Sequence, residues 1–376
     1  MSISIKSISV QIAGTKSSEF DIELEGRLYH LDNFTLSQGL LSPNVLSFSI
    51  HKDPEEDISE ALFSLCGFII GKEIEVSLQT EIVAPVPVED KTDDVCFWGV
   101  IVAATGNRER SEYFINVEAR SWESLLDDNP NCKSFEGRTL DEIISDVLDD
   151  YADRVEAEVD VRFTEAIPYC VQYNETDYQF IQRLARRYGE WLYNDGTRFH
   201  FGILRPGNSV KLTYPSQDIP SYSVELKMRH TAFSHVASSY NAYDANTKEG
   251  VEEMQREYNG LSEKVFQASI ECFTKPTYQN LHSGGFADTD GRETTLNVST
   301  KTQARGEKAG MLTYTGCTYC SMLKLGGTLL IEDNFISNGL TNEKSPVEQD
   351  EILIVELTHF FTKDKVYRNY FTGIPA

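Results

Sequence analysis

Residues 168–202 read PYCVQYNETDYQFIQRLARRYGEWLYNDGTRFHFG, and the local signals agree on strand, helix, strand, turn, strand. Tyr169 to Tyr173 alternates aromatic with smaller residues, as a half-buried strand does. Thr176 and Gln179 have the capping-box spacing that satisfies two orphan amide donors reciprocally. Ile181, Leu184, Ala185 and Tyr188 follow at i, i+3, i+4, i+7 and give the helix one apolar face. Arg183, Arg186 and Arg187 crowd its last turns, where positive charge suits the carbonyl end of the dipole. Gly189 is placed to end it in the left-handed conformation. Trp191–Tyr193 and Arg198–Phe201 then read as two strands around the turn 194–197.

On the N-terminal side of this stretch, 97–148 reads FWGVIVAATGNRERSEYFINVEARSWESLLDDNPNCKSFEGRTLDEIISDVL. Two long strands, Cys96–Ala104 and Tyr113–Ala119, are expected to turn at Gly106-Asn107. Trp122, Leu125 and Leu126 follow. Thr139 and Glu142 form a second capping box, and Leu140, Ile143, Ile144, Val147, Leu148 and Tyr151 trace one helical face. Together these stretches resemble VgrG, the spike protein of bacterial type VI secretion, in its N-terminal half, which is similar to the hub of contractile-phage baseplates. The resemblance rests on the YCVQY strand, the acidic helix start, the F-I-x-R-L core, the glycine and the HFG return strand. The W-x-x-L-L segment and capped helix precede them in the family order. The chain's ending, EILIVELTHFF at 351–361, a charged turn and an aromatic strand closing in IPA, resembles the point where the hub half of VgrG gives way to its needle.

Before the central stretch, residues 3–12 and 20–30 read as strands separated by Lys16-Ser17-Ser18, and Leu46–Ile50 as another. Asp53-Pro54-Glu55-Glu56 has the form of a helix start, Ile58, Ala61, Leu62 and Leu65 form its apolar face, and Gly67 is expected to stop it. Ile74, Val76 and Leu78 alternate with polar neighbours, and 82–95 reads as a surface loop. Beyond the central stretch, 203–222 reads as a connection between domains and Ser223–His230 as strand. Asn241 to about Gly310 reads as extended loops, with turns at His282–Phe286 and Asp288–Gly291 and one helix near Lys301–Lys308. Thr313–Met322, Leu329–Asp333, Glu351–Phe361 and Val366–Thr372 read as strands, with turns at Gly326-Gly327 and Thr362–Lys365. The expected class is a β-rich α+β chain. It comprises a first β-barrel domain at 1–126, an α+β domain with two capped helices at 127–215, and a second β-barrel domain at 216–376 carrying a loop/helix insertion at about 245–309.

Composition narrows the function. With 34 basic and 59 acidic residues the net charge is −25, a field that repels phosphate backbones and argues against nucleic-acid binding. Hydrophobic content of 40% argues against disorder. No run of about 18 apolar residues is present, and the N-terminus lacks an apolar signal-peptide core, so export is expected through a machine. Seven cysteines suit reduced thiols in a cytoplasm. Cys317-Thr-Tyr-Cys320 is the one CxxC; Cys272 and His282 do not complete a zinc pattern with it.

No catalytic, cofactor-binding or metal residue is assigned. Asp127-Asp128, Asp149-Asp150 and Glu252-Glu253 are adjacent acids of the kind that 59 carboxylates produce without function. Of the histidines at 30, 51, 200, 230, 235, 282 and 359, none has metal-site spacing; His200 is expected to point away from Phe199 and Phe201. There is no GxSxG elbow or Walker loop. The resemblance implies a non-enzymatic hub: a homotrimer whose six barrels adapt the six-fold inner tube of Hcp hexamers to a three-fold needle. Its implied partners are Hcp-like tube protein, a C-terminal or separate needle, baseplate proteins and effectors, with the chain cytoplasmic until assembly and exported on contraction. Strand residues around Tyr367 and Tyr370 are candidate interface positions. The alternatives are the hub of a phage tail or extracellular contractile injection system, and a β-rich glycan-directed binding module or hydrolase.

Overall fold

The computed structural model describes residues 2–18, 21–24, 27–52, 59–83, 93–109, 112–205, 209–214, 218–229, 234–241, 246–253, 260–273, 277–280, 309–333, 351–362 and 366–376, with 216, 302 and 306 besides. The N-terminal part holds β1 (Ser2–Ile12), β2 (Lys16–Ser18), β3 (Asp21–Leu24), β4 (Arg27–Gly39), β5 (Ser42–Lys52), α1 (Ser59–Ile69), β6 (Glu73–Val83), β7 (Asp93–Glu109) and β8 (Glu112–Ser121). Their ladder runs β1-β6-β7-β8-β5-β4, with β3 and β2 continuing from the first residues of β4. The period-2 pattern explains it: Leu46, Phe48 and Ile50 are buried together with Ile115, Val117 and Ala119, while Ser47 and Asn116 stay exposed.

Three expectations change here. Lys16–Ser18 is itself a short strand paired with β3. Residues 106 and 107 lie inside β7, opposite Ile115 and Phe114, because Ile115 needs a full-length partner strand to bury its row; β7 runs on to Glu109. α1 runs through Gly67 to Ile69, which is fully buried, so core packing overrides the glycine; the chain turns at Gly71, φ 73°. The proposed helix start at 53–56 lies outside the described residues.

The middle part is the one the sequence describes best. A 3-10 turn, Trp122–Asp127, leads into β9 (Asn131–Arg138), α2 (Leu140–Leu148), β10 (Ala157–Asp160), β11 (Ile167–Glu175), α3 (Asp177–Tyr188), β12 (Trp191–Asn194) and β13 (Phe199–Gly202). At the start of α3 the Gln179 amide donates to Thr176 Oγ1 at 3.2 Å and the Thr176 amide donates to Gln179 Oε1 at 3.3 Å. At the start of α2 the Thr139 amide donates to Glu142 at 3.1 Å. The sequence did not pair β9 with β11, or β10 with β13 in parallel; β10 is too short and polar to show a strand period.

Gly189 ends α3 at φ 74°, and a Cβ there would sit 2.5 Å from Thr302 Oγ1. Gly189→Ala is therefore expected to lower stability by about 1–2 kcal/mol, read as a lower urea midpoint. Gly67→Ala, in helical backbone with open space around it, should instead raise it by about 0.5–1 kcal/mol.

The C-terminal part contains β14 (Ser209–Tyr214), β15 (Ser221–Leu226), β16 (Ser234–Asn241), β17 (Asn246–Glu253), α4 (Gly260–Cys272), β18 (Thr277–Asn280), β19 (Leu312–Thr318), β20 (Thr328–Asp333), β21 (Ile352–Phe361) and β22 (Tyr367–Pro375). Residues 203–222 are thus more than a connection: β14 pairs in parallel with β20. The polar stretch after 241 carries the small sheet β17-β16-β18 and α4. α4 has no clear sequence signal because its buried apolar residues among those described, Val265 and Phe266, are few among polar ones. Most of 301–308, the turns at 282–286 and 288–291, and residues 363–365 lie outside the described residues. The strand expected to reach Met322 stops at Thr318, whose Oγ1 accepts the Cys320 amide at 3.1 Å and turns the chain.

Four hydrophobic clusters are described: one under the N-terminal strands, one around α2 and α3, one under β14, β19, β20, β21 and β22, and a small one of Val265, Phe266 and Met311 at α4. The first and third are not separate sheets. The second half of β4 pairs with β21 from Phe34–Phe361 to Gly39–Glu356, so the ladder continues β4-β21-β22-β19-β15. Among the described residues no ladder closes either half on itself. The end strands nevertheless approach: β1 touches β2 and β3, and Tyr214 of β14 meets Tyr222 of β15 edge-on, ring centroids 5.0 Å apart.

Candidate functional site

The seam between β4 and β21 builds the surface that matters most. Alternation turns every second side chain of β7, β8, β5, β4, β21, β22, β19 and β15 away from the cores, and register aligns them in rows. One row is Thr105, Asn116, Ser49, Asn33. The next is Glu118, Ser47, Thr35, Phe360, Arg368, with Ala103 beside Glu118. A third is Arg120, Val45, Ser37, Thr358, Tyr370, Cys317, Ser221. The result is one broad face of hydroxyls and amides crossing from the N-terminal strands to the C-terminal ones. Its bonds are local: Asn33 Nδ2 donates to Ser49 Oγ at 3.4 Å, Ser223 and Thr315 hydroxyls lie 2.7 Å apart, and Arg120 pairs with Glu118 at 3.1 Å. A shallow groove runs over Asn33, Thr35, Ser47, Ser49, Thr105 and Asn116.

Beneath this face a buried hydrogen-bond chain holds the seam. Gln38 Nε2 donates to the Cys96 carbonyl at 3.3 Å, and Gln38 Oε1 lies 3.3 Å from His359 Nε2. His359 Nδ1 lies 2.6 Å from the Tyr367 hydroxyl. Asn369 Nδ2 donates to Tyr367 at 3.2 Å and to the Cys320 carbonyl at 2.7 Å, while Thr318 donates to Asn369 Oδ1 at 2.7 Å. The chain is consistent when His359 is neutral, donating through Nε2 and accepting at Nδ1. Burial pushes its pKa down to about 4.

A second buried node fixes the middle part on the first sheet. Glu123 Oε1 accepts from Ser121 Oγ at 2.5 Å and Oε2 from Asn194 Nδ2 at 2.7 Å. Asn44 Nδ2 donates to the Asn194 carbonyl at 3.2 Å, and the Asn44 amide to Ser121 Oγ at 2.9 Å. Desolvation raises the Glu123 carboxyl above the ordinary range against these donors. Leu41, at φ 67°, is held by its amide to the Leu192 carbonyl at 2.7 Å and by Gln182 on its own carbonyl at 2.7 Å.

The residues weighed from sequence are scattered. Asp127 accepts from Thr176 Oγ1 at 2.7 Å and so anchors the start of α3. Asp128 is exposed, Asp149 and Asp150 open a short 3-10 turn, and the side chains of Glu252 and Glu253 are outside the described set. His200 points opposite to Phe199 and Phe201 and lies between Asp195 at 2.8 Å and Glu158 at 3.7 Å, stacked on Tyr193. Asp195 also accepts from the Thr197 and Arg198 amides at 2.8 Å; these bonds hold its carboxyl well below the usual carboxylate range despite burial. It is a turn-former. Cys317 lies on the polar face and Cys320 in the core, both free. Of the two candidate interface tyrosines, Tyr370 is exposed but Tyr367 is buried against His359; its inward parity on β22 decides this. Among the described residues no group of three His, Cys, Asp or Glu is placed to hold a metal, and no helix is long and apolar enough to cross a membrane. Sequence reasoning missed the seam residues Gln38, His359 and Asn369. The parity of Leu357, His359 and Phe361 would have flagged the histidine as inward-facing.

The polar face is continuous across the seam among the described residues. Residues 66–364 match the phage tail baseplate hub (GPD) family, and the chain belongs to that family. Over 139 residues it is 27% identical to the type VI secretion system spike protein VgrG1b of Pseudomonas aeruginosa, an alignment covering 35% of this chain and 18% of that protein. The chain thus spans about a fifth of that relative's length. Its fold is similar to a tail protein from Neisseria meningitidis, with a TM-score of 0.66 at 10% identity, covering 98% of this chain and 96% of that one. It is also similar to an Escherichia coli component of the type VI secretion system, with a TM-score of 0.55 at 12% identity, covering 98% and 76%.

Proposed function

We propose that the chain is the structural hub of a type VI secretion spike, a trimer that adapts a six-fold inner tube to a three-fold needle and is delivered when the machine contracts. The observation that carries this reading is the seam: two sheet halves run into one ladder through β4 and β21, and in this reading each half supplies one tube-facing surface. Three chains then present six such surfaces, enough to meet a hexameric Hcp-like ring, while the chain symmetry stays three-fold. Contacts in a closed ring are heterologous and repeated, so modest contacts add up. In this reading the three domains are 1–126, 127–215 and 216–376, with the insertion at about 245–309; three main cores support a three-part plan, with Trp122 and Leu126 packed in the second core and Val210 and Leu212 in the third. Each flanking domain is a barrel in plan, supported by the approach of its end strands. In this reading the polar face, made largely of hydroxyl and amide side chains, lines the central channel.

The role is mechanical and requires no catalytic residue. The needle, baseplate proteins and carried effectors complete the assembly, which forms in the cytoplasm and leaves by contraction. Native mass spectrometry with negative-stain imaging tests it: a trimer forming a six-lobed ring with a hole is expected. A compact monomer with one deep cleft at every concentration would overturn it. The tail-hub family match favours a second reading, a phage-type or extracellular injection hub. Co-sedimentation with purified Hcp hexamers separates the two, since a phage-type hub would leave the Hcp ring in the supernatant.

A further inference from the structure

We propose that Arg368, Phe360 and Tyr370 form a docking site for an acidic, extended peptide segment of a partner protein. Register places Phe360 directly opposite Arg368 and Tyr370 opposite Thr358 on the polar face. The Phe360 and Tyr370 rings meet edge-on at 5.4 Å, and the Arg368 guanidinium lies 5.9 Å and 5.7 Å from their centroids. Such contacts favour a guanidinium beside the rings, and a guanidinium can recognise a carboxylate with two parallel N–H bonds.

The chain has 59 acids to 34 bases; Arg120 pairs with Glu118 and Arg183 with Glu175, whereas Arg368, like Arg154 and Arg187, lies over aromatic rings. Among the described residues no carboxylate pairs with Arg368, which is exposed. An exposed cation beside two rings, with Glu118 and Arg120 farther along the same face on β8, is complementary to an acid followed by an apolar side chain that can lie on Tyr370, which is 42% exposed. A flat sheet face suits an extended segment, whose side chains recur every second residue on one side. The overall charge of −25 excludes polyphosphate at this site while tolerating an isolated carboxylate. Glu356 lies on the same face opposite Thr372 and repels a second acid, which sets where the first one lands.

Fluorescence anisotropy on the purified chain tests this, using a short labelled peptide alternating aspartate with tyrosine and the same peptide with asparagine for aspartate. The aspartate peptide is expected to bind on the order of tenfold tighter than the asparagine peptide, and Arg368→Gln to abolish that difference, since a charge-assisted bidentate contact is worth about a factor of ten or more. Arg368→Lys restores only part of it, because an ammonium lacks the fork, and Tyr370→Ser weakens both peptides. Added salt narrows the gap. Unchanged thermal midpoints confirm that the exposed-site variants are folded. Equal affinity for the two peptides, equal binding by wild type and Arg368→Gln, or no saturable binding at about millimolar peptide would each overturn the proposal. The titration uses the single chain, so loss of peptide binding and failure to form a ring are separate results.

Discussion

Lowering the pH from about 7 to about 4 should cost the native protein about 3 kcal/mol through His359 alone, since a tenfold change in proton affinity is worth about 1.4 kcal/mol. The folded pKa is depressed to about 4 from an ordinary 6.5. Above 6.5 the ring is neutral in both states and nothing is lost. Between 6.5 and about 4 the unfolded chain takes up the proton that the folded core refuses, so stability falls as pH falls, and the loss is complete below the folded value. The site of the loss is the seam: a proton on Nδ1 sets an N–H where the Tyr367 hydroxyl now donates, and Tyr367 already accepts from Asn369. His359→Gln is expected to be less stable at neutral pH by about 1–2 kcal/mol, through an imperfect replacement hydrogen bond. It should lack the acid-dependent slope between pH 6.5 and 4. Urea unfolding at a series of pH values, wild type against variant, reads the difference; parallel slopes would mean that His359 is not the titrating group.

Glu123 should act in the opposite sense. Its carboxyl is raised by burial, so the folded state holds a proton that the unfolded state has released. Its contribution is therefore greatest at low pH and is lost as pH rises through the folded value. Above that, the Ser121 and Asn194 donors hold a buried charge at a desolvation cost. Glu123→Gln keeps an acceptor for Asn194 and turns a donor to Ser121, so it should cost under about 1 kcal/mol at neutral pH or even stabilise. Glu123→Ala strips both donors of their partner and leaves a void, and is expected to cost about 2–4 kcal/mol. Thermal and urea unfolding of the two variants at pH 7.5 tests the order; an alanine variant as stable as the glutamine variant would show that the node carries no stability. Because the two buried groups have opposite slopes, the wild-type profile understates each, and only the single variants expose them.

Much of the middle part was legible in the chain. Thr176, Gln179, Gly189 and the turn at 194–197 act through neighbours within a few residues, so composition and spacing suffice to place them. The hub-family resemblance drawn from the same stretch holds across 66–364. Where local preference and core packing disagreed, packing won: Gly67 sits inside a helix so that Ile69 reaches the core, and residues 106 and 107 stay in a strand because β8 needs a partner. α4 and the sheet β17-β16-β18 were hidden in polar sequence with too few buried residues to show a period.

Interactions between residues close in the chain thus suffice for the β-rich class, the two capped helices, the parity of those strands whose apolar residues alternate, and the family. The pairing of β4 with β21, more than 300 residues later (His359 with Leu36), emerges only in the folded molecule. That pairing joins two sheets under one polar face, buries His359 and Tyr367, and leaves Arg368 beside two rings with no carboxylate partner among the described residues. A strand's alternation states which side chains share a face, but it carries no information about which distant strand will satisfy its edge. That choice is made by the backbone hydrogen bonds and side-chain packing of the whole assembled sheet.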